Sequence, residues 1–196
     1  MIGSLPSARL APLEYRYALD AAMALLAGAA PLTVCHVAAL WPELQQRVPN
    51  APSNHATAAI WVEPQAHSWN GELDGLMRGL SGNATLLVVA SQPLARLLPE
   101  RRGWDDDPLG MHVGGMRTLL RGLARAGFRV RERHGLHGVE AIALNALAAQ
   151  AARRGHAALA DRLGFAARLR YRSSGGTAGL GTVALLVARR EVAGAR

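Results

Sequence analysis

Two residues that could perform acid–base chemistry, Glu63 and His67, follow an apolar stretch that predicts a β-strand at about Thr57–Val62. Pro64 cannot donate a hydrogen bond to a sheet, so the strand should end before it. Ligands of open α/β sheets bind just beyond the carboxyl ends of the strands. There Glu63 could orient a substrate and His67 could act as a general base. The alternative is structural: Glu63 caps a helix and His67 is exposed in a turn.

Three other polar clusters have simpler interpretations than a site. His134 and His137 are too few for a metal centre, which needs three or four ligands. The carboxylates of Trp104–Pro108 could bind a divalent cation, but an Asp run before a helix is more often a solvated loop. The glycine-rich stretch Ser173–Gly181 lacks the lysine of a phosphate loop and does not open a helix. No metal site is expected.

The positive charge is concentrated in the second half of the chain. All 22 basic side chains are arginines, and with 14 acidic ones they give a net charge of +8. Residues 101–196 carry 17 arginines and 7 acidic residues, whereas residues 1–100 carry 5 and 7. A basic half implies an acidic partner, which could be nucleic acid, an anionic membrane surface or an acidic protein surface.

Three predicted elements each carry a row of arginines. One row has helical spacing and the other two alternate along predicted strands: Arg117, Arg121 and Arg125; Arg129, Arg131 and Arg133; Arg168, Arg170 and Arg172. The rows are either a solvated face balanced by local acids or a docking surface for an acidic partner. Few aromatic residues lie nearby to stack on bases, which disfavours sequence-specific RNA recognition but not phosphate contact.

The composition and the order of elements predict one α/β domain. Half of the 196 residues are hydrophobic, and the single cysteine, Cys35, indicates an intracellular chain without an internal disulfide. Residues 1–13 are expected to form a flexible arm, and no transmembrane segment is expected. The predicted location is cytoplasmic, or peripheral on a larger assembly.

Apolar runs of strand length alternate with amphipathic stretches of helical period. The predicted elements after the first strands are a helix, a strand, a helix, a strand, a long helix and two final strands: Glu72–Leu80, Ala84–Ser91, Gly114–Ala126, Phe128–His134, Val139–Gly155, Arg168–Ser173 and Thr182–Arg190. The long helix is either extended or restarted through Ala157–Leu163. This alternation predicts a mostly parallel sheet between helices, with an antiparallel end.

Three segments, taken in order, are similar to consecutive parts of one known family. The first segment is TAAIWVEPQAHSWNGELDGLMRGLSGNATLLVVAS, which resembles a strand, a helix and a second strand of that family. The second segment is GGMRTLLRGLARAGFRVRERHGL, which resembles the family's next helix and strand. The third is GTVALLVARR, which resembles its closing antiparallel strand. These are similar to the fourth to seventh strands of class I S-adenosylmethionine-dependent methyltransferases. The resemblance implies a three-layer Rossmann-like sandwich with a mostly parallel sheet and an antiparallel C-terminal strand.

The first part of the chain departs from that family. The family's cofactor loop resembles E/D-x-G-x-G-x-G after its first strand, whereas no glycine occurs here between Gly28 and Gly71. Leu40 and Trp41 put bulk where the turn should be. Only Ala38–Ala56 separates the first two predicted strands, too little for two further strands and their helices. The N-terminal half is therefore predicted to be truncated relative to the family, and no cofactor-binding residue of the family can be assigned to a position in this sequence.

We therefore expect a degenerate methyltransferase-like protein that binds no cofactor and acts as a non-catalytic accessory or structural subunit. It would dock to a larger, multi-subunit complex or an acidic protein surface through apolar and arginine-rich surfaces. One alternative is an active methyltransferase with an atypical loop, with S-adenosylmethionine as cofactor and Glu63 and His67 as site residues. Another is a nucleic-acid-binding module that uses the arginine rows.

Overall fold

The computed structural model describes residues 56–97, 107–170 and 181–191, the single residue Ala24, and the backbone of two short strands, 32–35 and 172–174. The predicted arm at residues 1–13 and the turn at Leu40 and Trp41 lie outside the described residues.

Within the described residues, the elements with defined bounds are, in chain order, six strands and four helices, with two short 3-10 segments between β3 and α2. They are β1 (Leu32–Cys35), β2 (Ala56–Val62), α1 (Trp69–Gly79), β3 (Leu80–Ser91), the 3-10 segments Pro93–Leu97 and Leu109–Met111, α2 (Gly115–Arg125), β4 (Phe128–Gly138), α3 (Val139–Arg153), α4 (Ala157–Leu169), β5 (Arg172–Ser174) and β6 (Gly181–Arg190). No described helix has the length and apolar character needed to cross a membrane.

The strands form one mixed sheet in the order β1-β2-β3-β6-β4-β5. β1, β2 and β3 run parallel, and β6 pairs antiparallel with both β3 and β4. β4 therefore runs in the direction of β3, with the last long strand inserted between them in the opposite direction. This arrangement confirms the predicted α/β class and its antiparallel C-terminal strand.

One face of the sheet packs against α1 and α2. The buried cluster there takes Trp61 from β2, Val88 from β3, Leu186 from β6, and the inward leucines of both helices. The indole N–H of fully buried Trp61 donates to Glu72 Oε2 at 2.8 Å, which satisfies its one polar atom. The Trp69 ring lies directly on α2: a Cβ added to Gly122 would be 2.3 Å from Trp69 Cζ3.

Two predicted boundaries were wrong around α1. The helix begins at Trp69 rather than Glu72, and residues 81–83, which the prediction left between the helix and the next strand, belong to β3. The reason is that Leu80, the C-cap residue, already has extended backbone angles, φ −99° and ψ 140°. The chain therefore passes from α1 into β3 without a separate turn.

The prediction of a strand at Arg168–Ser173 was wrong for its first residues, since β5 is Arg172–Ser174. Helix α4 continues to Leu169, and the N–H of Arg170 still bonds the carbonyls of Ala166 and Ala167. Of the three arginines in this row, only Arg172 lies in β5. Arg168, Arg170 and Arg172 therefore do not alternate along one strand.

The row Arg129, Arg131 and Arg133 does not share one face either. Arg129 pairs with Arg189 of β6 and Arg133 with Leu186, and a register shift lies between Val130 and Glu132. Arg131 is the extra residue of this bulge, so side chains beyond it alternate in the opposite sense. Arg133 is half-buried on the side of Leu186, while Arg129 lies on the other side of the sheet.

Candidate functional site

Buried polar side chains line the edge of the sheet where β2, β3 and β4 end and β6 begins. We call this the carboxyl edge, and its members are Glu63, Ser91, Thr182, His137 and Asn145. The first four are at most 7% exposed. In open α/β sheets this edge is where ligands bind.

Glu63 is the first residue after β2, and its backbone is left-handed, with φ 51°. Its N–H donates to Val89 O at 2.8 Å. Its carboxylate accepts twice from Ser91, from the N–H to Oε1 at 2.5 Å and from Oγ to Oε2 at 2.5 Å. A left-handed non-glycine residue costs about 1–2 kcal/mol, so the surrounding contacts must hold it in place.

The segment 107–111 covers the ends of β2 and β3. Leu109 N–H donates to Pro64 O at 2.8 Å, and Ala66 N–H donates to Asp107 O at 2.8 Å. The Gln65 side chain bridges the two segments, donating to Glu63 O and accepting from Asp107 N–H, each at 2.9 Å. A Cβ on Gly110 would lie 2.1 Å from Ser91 O, so this backbone rests directly on the end of β3. The chain itself therefore occupies the space beyond these two strands.

The other half of the carboxyl edge centres on His137, near the end of β4. It is the second described non-glycine residue with a left-handed backbone, with φ 52°. The ring contacts Thr182 Oγ1 through Nδ1 at 3.2 Å and Asn145 Nδ2 through Nε2 at 3.1 Å. Because the Asn145 amide donates to Nε2, the ring proton lies on Nδ1 and is donated to Thr182. His137 thereby joins β4, β6 and α3.

The structure puts Glu63 and His67 in different environments. Glu63 is 1% exposed and bound to Ser91, while His67 is exposed in the turn before α1. Glu63 does not cap a helix, since Ser68 is the N-cap residue of α1 and donates through Oγ to Glu72. A catalytic role for Glu63 and His67 stays a prediction.

Sequence reasoning missed Ser91, Thr182 and Asn145, and considered His137 only as a metal ligand. Ser91 lies 28 residues from Glu63, and Thr182 lies 45 residues from His137. No local pattern signals such pairs, because the strand register brings them together. Among the described residues, no three His, Cys, Asp or Glu side chains are grouped as a metal site.

The arginine rows divide by their partners. Arg117, Arg121 and Arg125 are all exposed on α2, and none forms an ion pair within the described parts of the chain. Arg129 and Arg131 share Glu191, with N–O distances of 3.5 and 3.0 Å. Arg170 pairs with Glu140 at 3.2 Å and Arg168 is exposed, whereas the side chain of Arg172 lies outside the described residues. Local acids thus balance part of the predicted basic surface, but not the row on α2.

No family model matches the chain, and no curated protein matches it in sequence. It is similar to the crystal structure of a methyltransferase from Thermotoga maritima described as a possible histamine N-methyltransferase, with a TM-score of 0.54 and 10% identity over 90% of this chain and 89% of that one. A geranyl diphosphate C-methyltransferase from Streptomyces coelicolor gives a TM-score of 0.43 and 14% identity over 91% and 76%. The Thermotoga similarity shows the fold alone: the chain has a class I methyltransferase-like fold, as the sequence resemblance implied.

Proposed function

We propose that this chain is a degenerate methyltransferase-like subunit without catalytic activity, which docks to a larger complex. The observation that carries the proposal is the covered carboxyl edge. Glu63 follows the strand where a ligand-facing carboxylate would stand, yet it is 1% exposed and both of its oxygens bind Ser91.

Acid–base chemistry requires that the catalytic group reach its substrate within hydrogen-bond distance, directly or through one water. For Glu63 to do so, the segment 107–111 would have to leave, breaking its backbone bonds to Pro64 and Ala66. The absence of glycine between Gly28 and Gly71 supports the same conclusion from the sequence, because a cofactor that presses on the backbone needs residues without a Cβ.

A docking role is supported by arginines that form no ion pair with any described residue. Arg117, Arg121 and Arg125 cover the outer side of α2, while Leu119 and Leu123 on its inner side are fully buried. A row of like charges spaced by one helical turn repels itself unless an acidic surface lies opposite. An acidic partner would remove that repulsion and would be attracted from a distance.

Calorimetric titration with S-adenosylmethionine tests the proposal, with a catalytically active class I methyltransferase titrated in parallel as the control. We expect no saturable heat for this chain. Micromolar binding would overturn the proposal and favour the active enzyme, which also predicts transfer of a labelled methyl group that is lost in Glu63→Ala or His67→Ala.

The nucleic-acid alternative has a separate readout. It predicts affinity for duplex or single-stranded probes that falls steeply with salt and is lost when Arg117 and Arg121 are both changed to Glu. We expect weak binding of such probes at low salt and no such dependence on these two residues. Strong binding that depends on both residues would assign α2 to nucleic acid and contradict protein docking there.

A further inference from the structure

We propose that the outward side of α4 is a docking surface for an acidic amphipathic helix of a partner protein. This inference deepens the accessory role proposed above and rests on it. It assigns a surface, which we call the α4 face, and the chemistry of the partner that fits it.

The α4 face is an apolar stripe that points away from the domain. Ala158, Arg162, Phe165 and Leu169 follow one another at intervals of four, three and four residues, which places them on one side of the helix. Phe165 is 60% exposed and Leu169 is 69% exposed, and Leu159, in the first turn of the helix, is 50% exposed. Leu163, the remaining large apolar side chain of the helix, is half-buried.

The side of α4 that does pack carries Leu163 and, around it, small residues. Ala167 is buried, while Ala160 and Gly164 are half-buried. A surface helix ordinarily turns its large apolar side chains to the core and its polar side chains to solvent. Helix α4 departs from this distribution, because Phe165 and Leu169 are exposed while its buried residue is Ala167, and exposed apolar residues grouped in this way mark interaction sites.

The same pattern continues on α3, which packs against α4. Its buried residues are Ala141 and Ala151, whereas Val139 is 58% exposed and Leu147 is 50% exposed. The connection between α3 and α4 is short, so they form a helical hairpin, and several of its large apolar side chains are exposed. A further helix packed against this hairpin would bury them.

The charge around the stripe selects the partner. Arg162 lies within the stripe and Arg168 is exposed on the same helix, with Arg153 and Arg154 exposed at the end of α3. Residues 139–170 contain five arginines against two acidic residues, and one of those, Glu140, already pairs with Arg170. A second copy of this chain would place arginine against arginine, whereas carboxylates on a partner would pair with them.

The spacing of the residues on the α4 face, together with Arg162 within it, favours a partner helix over a membrane as the occupant of this face. Intervals of four and three residues are those of the seam between two packed helices, with charged residues of opposite sign beside the seam. A helix that lies on a membrane buries a face free of charge and keeps its cations on the other side. Arg162 interrupts the stripe between Ala158 and Phe165, so a partner must bring a carboxylate to that position.

The test uses the full chain and a fluorescein-labelled peptide of about three heptads with Leu at a and d and Glu at e and g. The control peptide has Lys in place of Glu. We expect saturable anisotropy changes with the Glu peptide, none with the Lys peptide, and at least about tenfold weaker binding for Phe165→Ser and for Arg162→Glu. The matched controls, exposed Val113→Ser and exposed Arg78→Glu, should bind as the unchanged chain does.

Several results would overturn the inference once circular dichroism shows that the variants are folded. They are no binding of the Glu peptide, equal binding of both peptides, or equal weakening in the control variants. Binding to phosphatidylglycerol vesicles that depends on Phe165 and Arg162, without peptide binding, would assign the α4 face to a membrane. Dimerisation in sedimentation that Phe165→Ser abolishes would assign it to a second copy.

The proposal of an accessory role and the proposal of docking at the α4 face are refuted by different results. If the Glu peptide does not bind and S-adenosylmethionine also gives no heat, the surface is wrong while the absence of cofactor binding stands. If S-adenosylmethionine binds with micromolar affinity, the accessory role is wrong whatever the peptide does.

Discussion

Replacing Glu63 by alanine should destabilise the domain strongly, because two buried donors lose their acceptor together. Ser91 is fully buried, and both its N–H and its hydroxyl donate to the Glu63 carboxylate at 2.5 Å. Leaving one buried polar group unsatisfied costs about 1–3 kcal/mol, so the two together should lower the free energy of unfolding by about 2–6 kcal/mol. That is a large share of the 5–15 kcal/mol typical of a domain, as an order of magnitude.

Two further variants separate the contribution of the Glu63 charge from that of its hydrogen bonds to Ser91. Glu63→Gln keeps an oxygen that accepts from the N–H and gains an amide that donates to the hydroxyl oxygen, so the charge and the acceptor of the Ser91 O–H are lost, while the other hydrogen bond stays. We expect it to cost roughly half as much as alanine, since charge-assisted hydrogen bonds are roughly twice as strong as neutral ones. In a double-mutant cycle with Ser91→Ala, the coupling energy should be about 1–3 kcal/mol.

Equilibrium urea unfolding followed by tryptophan fluorescence measures these changes, because Trp61 is fully buried on the strand that leads to Glu63. Glu191→Ala is the matched control: this carboxylate is 51% exposed and binds Arg129 and Arg131 at the surface, so its loss should cost less than about 1 kcal/mol. The reasoning is refuted if Glu63→Ala unfolds within about 0.5 kcal/mol of the unchanged chain, or if the Glu63 and Ser91 effects simply add.

Two other substitutions follow from the packing and are measured by the same unfolding experiment. Gly122→Ala should cost about 1–3 kcal/mol, because its Cβ would lie 2.3 Å from Trp69 Cζ3, whereas Gly164→Ala in α4, with open space around it, should be neutral or stabilising; equal effects at the two glycines would contradict this contact. Thr182→Val should cost about 1 kcal/mol, since it keeps the shape of a fully buried side chain but removes the acceptor of the His137 ring proton; no change would mean that this hydrogen bond contributes nothing.

The elements that the sequence predicted best are those whose pattern repeats along the chain. The predicted helix Gly114–Ala126 is found as Gly115–Arg125, and the predicted strand Thr182–Arg190 as Gly181–Arg190. Their hydrophobic period is set by residues three or four apart in the helix and two apart in the strand. Predictions were wrong where a neighbouring element decided the boundary, as at Leu80, which pairs with Ala56 of β2, so that β3 begins there and not at Ala84.

The arginine rows show the same limit of prediction from local sequence patterns. The helical row on α2 was predicted correctly as one exposed side, because helical spacing alone determines it. The alternation of Arg129 and Arg133 was lost at the bulge in β4, which exists only because β4 pairs with β6. A bulge changes the side on which every later residue lies, and nothing in the spacing of the arginines indicates it.

The sequence by itself determined the class of the fold and the lack of glycine at the expected cofactor turn, because both depend on residues that are close together in the chain. Tertiary structure alone decided what Glu63 does. A residue that precedes proline is biased towards extended backbone, yet Glu63 is left-handed before Pro64. Hydrogen bonds to Val89 and Ser91 hold it there, and those partners come from a strand that only the folded sheet places beside it.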